Sequence, residues 1–409
     1  MEFAPWPFFE EDEIQAVIDV LKSGKVNQWT GEEITAFESE FASYIGSDYA
    51  IALANGSLAL DLALICYDIG PGDEVIVTPR TFMASVSCIA LRGAIPVFVD
   101  VDLVSQNMTL AGIKKAMSPK TKAVIAVNLA GWPCELEEIA KFCDAKGVIL
   151  IEDCAQSSGA AYNGKKAGSF GNCAIFSFCQ DKIMTTGGEG GMFLTNERKI
   201  WEKAWSYKDH GKDYDQVFKK DHAPGFRWFV ETFGTNFRMT EMQAALGRVI
   251  LRKLDKWVEK RRVLADQFSK GFSMIPGLRV TMPPPNIYHA YYKYYVFIEP
   301  EELKKGFSQK KILEQLSAKG VPCAAGICPE VYQEKVFKTY PFKLVTIDEK
   351  GRDGEQPLKQ PLKQQLRRLP NAKQLGQTSM MFMVHPTLEI ETINYVISQV
   401  RIIMENACN

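Results

Sequence analysis

A single lysine, Lys182, stands between an apolar run and a glycine-rich turn in the stretch FSFCQDKIMTTGGEGG, Phe176 to Gly191. Upstream, Asp153 lies near the end of a second apolar run, VILIEDCAQSSG. An amine and a carboxylate on neighbouring strand ends suit pyridoxal phosphate chemistry. The lysine would form a Schiff base with the cofactor aldehyde. The carboxylate would keep the ring nitrogen protonated, so that the ring accepts electrons. The glycines let backbone approach a ligand or take positive φ. A lone lysine is ordinarily a surface residue, and GGEGG matches neither GxxxxGK[ST] nor GxGxxG, so a P-loop or Rossmann reading is poorly supported.

Two further segments carry polar or aromatic groups to similar places. Asn55-Gly56-Ser57 joins an apolar strand to a helical run, and free N–H groups at a helix start bind phosphate. Alternatively, Ser57 simply caps that helix. Ser177 adds a hydroxyl on the strand before Lys182. Thr78 to Phe82 follows another strand, so Phe82 could stack on a flat cofactor at a strand's C-terminal end. A core phenylalanine is the commoner fate.

The elements that must position these residues alternate. Strands are expected over 50–54, 74–78, 96–99, 123–127, 148–152, 174–178 and 191–195. Helices are expected over 10–23, 34–44, 83–92, 110–117 and 135–146, with another following Ser57. Short apolar strands separated by helical periods predict an α/β fold with a mostly parallel sheet between helices. Residues 207–233, charged and aromatic without clean period, read as a long functional loop. A long helix starts near Thr240, and its basic stripe (Arg248, Arg252, Lys253, Lys256, Lys260, Arg261, Arg262) reads as a solvated face. Beyond it, the strand-like YYKYYVFIEP and helices over 309–319 and 390–404 predict a smaller α+β domain. The expected division is 1–262 for the large domain and 263–409 for the small one. The polar stretch 343–368 reads as an exposed excursion.

Composition narrows the class. A chain of 409 residues with 46% hydrophobic and 24% charged residues fits a globular protein of more than one domain. A formal net charge of −1 offers no footprint for nucleic acid. The acidic start MEFAPWPFFEEDE reads against a secretory leader, and no long apolar run predicts a membrane span. Ten scattered cysteines without a CxxC pair suit reduced thiols of a cytoplasmic enzyme. The four histidines lack metal-ligand spacing, so no metal site is expected.

The segments NGSLALDLAL, VTPRTFMAS, IEDCAQSSGAAYNGKKAGSFG, FSFCQDKIMTTGGEGGMFLTN and GTNFRMTEMQAALG, in this order, resemble the DegT/DnrJ/EryC1/StrS sugar aminotransferases. These are fold-type I pyridoxal phosphate enzymes. The resemblance runs from about Gly24 to Leu264 and continues to the C-terminus less closely. It implies that Lys182 is the Schiff-base lysine and acid/base, with Asp153 on the pyridine nitrogen. Gln156 would lie near the ring hydroxyl and Phe82 on the ring face. Gly56, Ser57 and Ser177 would hold the phosphate. Asn236 resembles the asparagine that reaches the neighbouring subunit's cofactor, which implies a homodimer with shared sites; Arg238 would stay near that interface.

The chain departs from many relatives in having Cys179-Gln180-Asp181 before the lysine. It keeps the lysine that the dehydratase branch replaces with histidine, which favours amino transfer. L-Glutamate would be the donor and a keto or aldehyde sugar the acceptor. FSFCQDK, YKDHGK and the 207–233 segment look most like the branch that aminates C8 of a 3,8-dideoxy-octulosonate for surface lipopolysaccharide. A nucleotide-linked 4-keto or 3-keto deoxysugar is the alternative. His210, Arg227, Arg238, Lys208 and Lys212 are candidate substrate contacts. A non-catalytic regulator with this fold is the reading from another class. A nicotinamide oxidoreductase is disfavoured by the missing GxGxxG.

Overall fold

A computed structural model describes residues 3–221, 225, 228–339, 344–348, 351–352 and 368–409. The large sheet takes seven strands from the first half of the chain: β1 (Tyr49–Leu53), β2 (Glu74–Val77), β3 (Ile95–Val99), β4 (Thr121–Val127), β5 (Ile149–Asp153), β6 (Cys173–Ser177) and β7 (Gly191–Thr195). They are rich in Val, Ile and Phe, and most of their residues are buried. Such runs exclude water from both faces, as a central sheet requires. Helices cover those faces. Ile34 and Phe37 of α2 (Glu33–Ile45) join one core, while Leu60 and Leu64 of α3 (Gly56–Cys66) join the other. An earlier helix, α1 (Glu11–Ser23), and a later one, α4 (Ala84–Leu91), complete the N-terminal set.

The sheet order is β1-β7-β6-β5-β4-β2-β3, extended past β3 by two later strands, β11 (Val345–Asp348) and β12 (Gly351–Arg352). From β6 through β5, β4, β2 and β3 to β11 the pairing is parallel, and β7 runs antiparallel to both β1 and β6. The C-terminal ends of β1, β2, β5 and β6 and the start of β7 therefore share one edge.

A second sheet has the order β8-β9-β13-β10, formed by β8 (Leu278–Val280), β9 (Tyr294–Ile298), β10 (Cys323–Ala324) and β13 (Ser379–Phe382), all antiparallel. Its core includes Leu264, Phe268 and Phe272. Between the two cores runs one helix, Glu241–Phe272, of 32 residues. Its start is fixed by a capping box in which Thr240 and Gln243 satisfy each other's N–H groups. The division expected at 262/263 falls inside this uninterrupted helix.

Three expectations change. The 207–233 segment is not simply a loop: a helix over Arg198–Lys208 enters it, Tyr214–Phe218 is helical, and bridges pair Asp209 with Asn236 and Lys212 with Val230. The 343–368 stretch supplies β11 to the large sheet with Val345, Thr346 and Ile347 buried. Its polarity hid a four-residue strand. The basic stripe of the long helix is mostly engaged rather than solvated. Arg248 pairs with Glu33 and Glu40, and Lys253 with Glu10, Asp12 and Glu13. Arg261 is 1% exposed. Among the described residues no helix is long and apolar enough to cross a membrane.

Candidate active site

The shared strand edge gathers the chemistry. β5 ends on Asp153, which pairs in register with Ile175 of β6. β6 ends on Ser177, and the chain then turns through Lys182, whose N–H donates to the Cys179 carbonyl at 3.1 Å. The two threonines of the motif pin this turn. Thr185 Oγ1 donates to the Phe178 carbonyl at 3.0 Å, and the Thr186 N–H donates to the same oxygen at 3.2 Å. The glycines bring the turn back: a Cβ on Gly191 would sit 2.5 Å from the Asn55 carbonyl carbon, so only glycine lets β7 start beside that loop.

Asp153 is buried and held from two sides. Ser85 Oγ donates to Oδ2 at 2.7 Å, and the Ala155 N–H donates to Oδ1 at 3.1 Å. Burial pushes its carboxyl upward, and Ser85, Ala155 N–H and the Lys182 charge draw it back. Among the described residues no lysine or arginine forms an ion pair with it. Ser85, in the first turn of α4, also shares a 2.9 Å hydrogen bond with Thr81 Oγ1. Between those two residues Phe82 is 66% exposed, with its ring free to cover a flat ligand. Gln156 is buried, and its Oε1 accepts from the Ala130 N–H at 2.8 Å.

At the other end, Asn55 is the N-cap of α3 and accepts from the Leu58 N–H at 3.0 Å. The cap is thus filled by Asn55 and not by Ser57, which leaves the Ser57 hydroxyl on the first turn. A Cβ on Gly56 would lie 2.7 Å from the Ser177 Cβ, so α3 starts directly against the end of β6. Its unpaired first-turn N–H groups, with Ser57 and Ser177, make an anion cradle.

The segment carrying Asn236 lies along the end of β1 in its own chain. The Ala54 N–H donates to the Phe237 carbonyl at 2.9 Å, and Leu53 bridges Arg238. Asn236 itself is exposed, with Oδ1 accepting from the Arg238 N–H at 3.1 Å. The proposed substrate cations are largely consumed. Arg238 and Lys212 both pair with buried Asp209 at 2.9 Å. Lys208 is fully buried with Nζ on Gln28 Oε1 at 2.8 Å. His210 is exposed at φ +60°. Arg227 lies outside the described residues.

Sequence reading missed two kinds of group. Ser85 sits inside the quoted VTPRTFMAS, four residues after Thr81, and that helical spacing was its signal. Tyr292 was read only as strand; its ring centroid lies 4.8 Å from Lys182 Nζ, and its hydroxyl donates to Asp181. The set fits a flat cationic heterocycle with a phosphate tail. A buried carboxylate lacking a cation can take the ring N–H, Lys182 can take the aldehyde, and the α3 cradle can take the phosphate.

The sequence profile described as the DegT/DnrJ/EryC1/StrS aminotransferase family matches residues 7–346. The chain is 34% identical to the GDP-perosamine synthase of Escherichia coli O157:H7 over 286 residues, covering 69% of this chain and 75% of that protein. An aminotransferase structure from Psychrobacter cryohalolentis is 46% identical with a TM-score of 0.91 and covers 99% of both chains. The structure of E. coli GDP-4-keto-6-deoxy-D-mannose-3-dehydratase with bound hydrated PLP is 25% identical with a TM-score of 0.81, covering 96% of this chain and 97% of that one.

Proposed function

Because this chain belongs to the DegT/DnrJ/EryC1/StrS aminotransferase family and is a pyridoxal-phosphate-dependent sugar aminotransferase, we propose that it moves an amino group from L-glutamate to C8 of a 3,8-dideoxy-octulosonate. The aminotransferase part of the reading rests above all on one arrangement: the Lys182 turn and a buried Asp153, which has no ion-pair partner among the described residues, meet on one strand edge.

Bound pyridoxal phosphate supplies an aldehyde that carries the amino group and a ring that draws electrons from the substrate carbon. Asp153 keeps the ring nitrogen protonated, and Ser85 and the Ala155 N–H hold that carboxylate in place and ionised. Gly56, Ser57 and Ser177 grip the phosphate. Phe82 covers one ring face and excludes water from it. Lys182 Nζ would take the proton from the donor Cα and return one to the carbon on the other side of the transferred nitrogen, and would run the same transfer in reverse on the sugar. An amine that both takes and gives a proton favours amino transfer over loss of a hydroxyl.

Among the described residues, Lys208, Lys212 and Arg238 have partners within the chain, which supports the free sugar acid over a sugar carrying a pyrophosphate. The likeness to a GDP-perosamine synthase supports the nucleotide-linked alternative. We place the enzyme in the cytoplasm, where ten unpaired cysteines suit reducing conditions. We also infer a homodimer. Val230 and Phe233 are 62% and 100% exposed, and a second copy would cover such side chains and bring Asn236 to a shared site.

The test is to load the protein with the cofactor, convert it with L-glutamate and remove the excess. Candidate oxo-sugars are then added while the near-visible cofactor band is followed. The 8-oxo-3,8-dideoxy-octulosonate should restore the band. Restoration by GDP-4-keto-6-deoxymannose alone would replace the acceptor with a nucleotide sugar, and no conversion by L-glutamate would remove the donor.

A further inference from the structure

Two lysines lie against the ring of Tyr292. Lys182 Nζ lies 4.8 Å from its centroid and Lys293 Nζ 4.6 Å. The Tyr292 hydroxyl donates to Asp181 Oδ2, and Lys293 Nζ is 3.5 Å from that same oxygen. The other polar contact of Lys293 is the Met383 sulfur at 3.3 Å. Behind it lies Arg261, 1% exposed, whose Nη1 donates to the Tyr291 and Tyr292 carbonyls at 3.4 Å each. Its Nε and Nη2 are buried without a partner. The guanidinium lies 5.1 Å from the Trp6 ring, and the Trp6 indole N–H donates to the Lys182 carbonyl at 3.1 Å.

Lys182, Lys293 and Arg261 therefore surround a single carboxylate, Asp181, which is already shared with a tyrosine. The nearby His385 adds no charge, because burial and the two cations hold it neutral, at about 3. Lys293 and Arg261 are buried while the Asp181 side chain is 49% exposed, and buried cations with orphaned N–H donors are costly unless an anion arrives. The Lys293 side chain is 11% exposed.

We propose that Lys293, backed by Arg261, receives the α-carboxylate of the amino donor. This rests on the aminotransferase reading above. An amino acid presents its α-carboxylate one bond from the carbon that reacts beside Lys182, so its partner must lie within a few ångströms of that amine. Lys293 shares an aromatic ring with it. A sugar acid aminated at C8 carries its carboxylate at the far end of the molecule, out of reach of this ammonium. Arg261 holds the Tyr291–Lys293 backbone and is a positioning residue.

The test compares L-glutamate with 4-aminobutyrate, which keeps the distal carboxylate and lacks the α one, on the cofactor-loaded enzyme. Lys293→Met should raise the half-saturating concentration for L-glutamate at least about tenfold, while the response to 4-aminobutyrate is unchanged. Lys293→Arg should recover most of the glutamate binding. Calorimetric binding of glutarate should weaken in Lys293→Met by a similar factor. Equal losses for both amines, or an unchanged glutamate response, overturn the assignment; if Lys293→Met fails to fold, Lys293→Gln is read the same way. A parent enzyme inert to L-glutamate removes the donor reading instead, and the glutarate titration then decides the subsite alone.

Discussion

At the residue scale the proposed mechanism divides the work between Lys182 as a mobile proton carrier and Asp153 as a fixed charge. Lys182→Ala should lower turnover by roughly 10²–10⁴-fold or more, with the far-ultraviolet circular dichroism of the parent. Turnover at the parental rate would take the lysine out of its role. The fixed charge depends on Ser85. Burial raises the Asp153 carboxyl above its ordinary value, and the Ser85 hydrogen bond lowers it again. Asp153 must be ionised to hold a protonated ring, so activity is lost as pH falls through its folded-state value. Ser85→Ala removes a lowering contribution, and the acid limb of the pH–rate profile should move to higher pH. A limb that stays still or moves down would show that Ser85 does not support this carboxylate. Lys182, Asp153, Gly56 and Ser177 could all be named from the chain, because each sits in a short motif beside its own strand. Ser85 bonds Asp153 across 68 residues and Tyr292 bonds Asp181 across 111, and no local pattern announces such partners.

At the scale of elements, the long helix clamps the N-terminal one. Lys253 reaches Glu10 at 2.6 Å, Asp12 at 2.7 Å and Glu13 at 3.0 Å, and Glu13 is fully buried. Among the described residues these three acids are also the group close enough to hold a metal ion, and the ammonium already occupies them. Lys253→Met leaves Glu13 buried and unpaired, and should cost about 1–3 kcal/mol in urea unfolding, discounted for the exposure of Glu10 and Asp12. Glu13→Gln added to that variant should return part of the loss; a purely additive pair would mean the contact is a surface ornament. The strands of the large sheet were readable because burial on both faces makes them uniformly apolar. Several other elements were not. The helices over Arg198–Lys208 and Pro370–Thr378, and β11 and β13, draw their burial from distant neighbours rather than from an evident period.

For the whole molecule, two buried histidines tie stability to pH. Burial lowers His289 and His385 from 6.5 to about 3. Both stay neutral in the folded chain while the unfolded chain takes up protons below about pH 6.5. Their contribution is therefore complete above about 6.5 and declines as pH falls toward 3. Between about pH 7.5 and pH 5 the parent should lose roughly 1–2 kcal/mol more than His385→Gln in chemical denaturation; equal losses would place this histidine in contact with water. Buried carboxylates with raised values, such as Glu152, act in the opposite sense, so the comparison with the variant carries the result. The order of residues alone determined the α/β class, and it marked Lys182, Asp153 and the glycine turn after the lysine as the candidate site, because strand burial and tight turns are written in adjacent positions. Tertiary structure alone decided that one helix serves both cores, that a late polar stretch returns a strand to the large sheet, and that Lys182 and Lys293 both lie against the Tyr292 ring with Arg261 on the Tyr291 and Tyr292 carbonyls. Those outcomes depend on contacts between residues far apart in the chain, which take shape only when the sheets and helices pack.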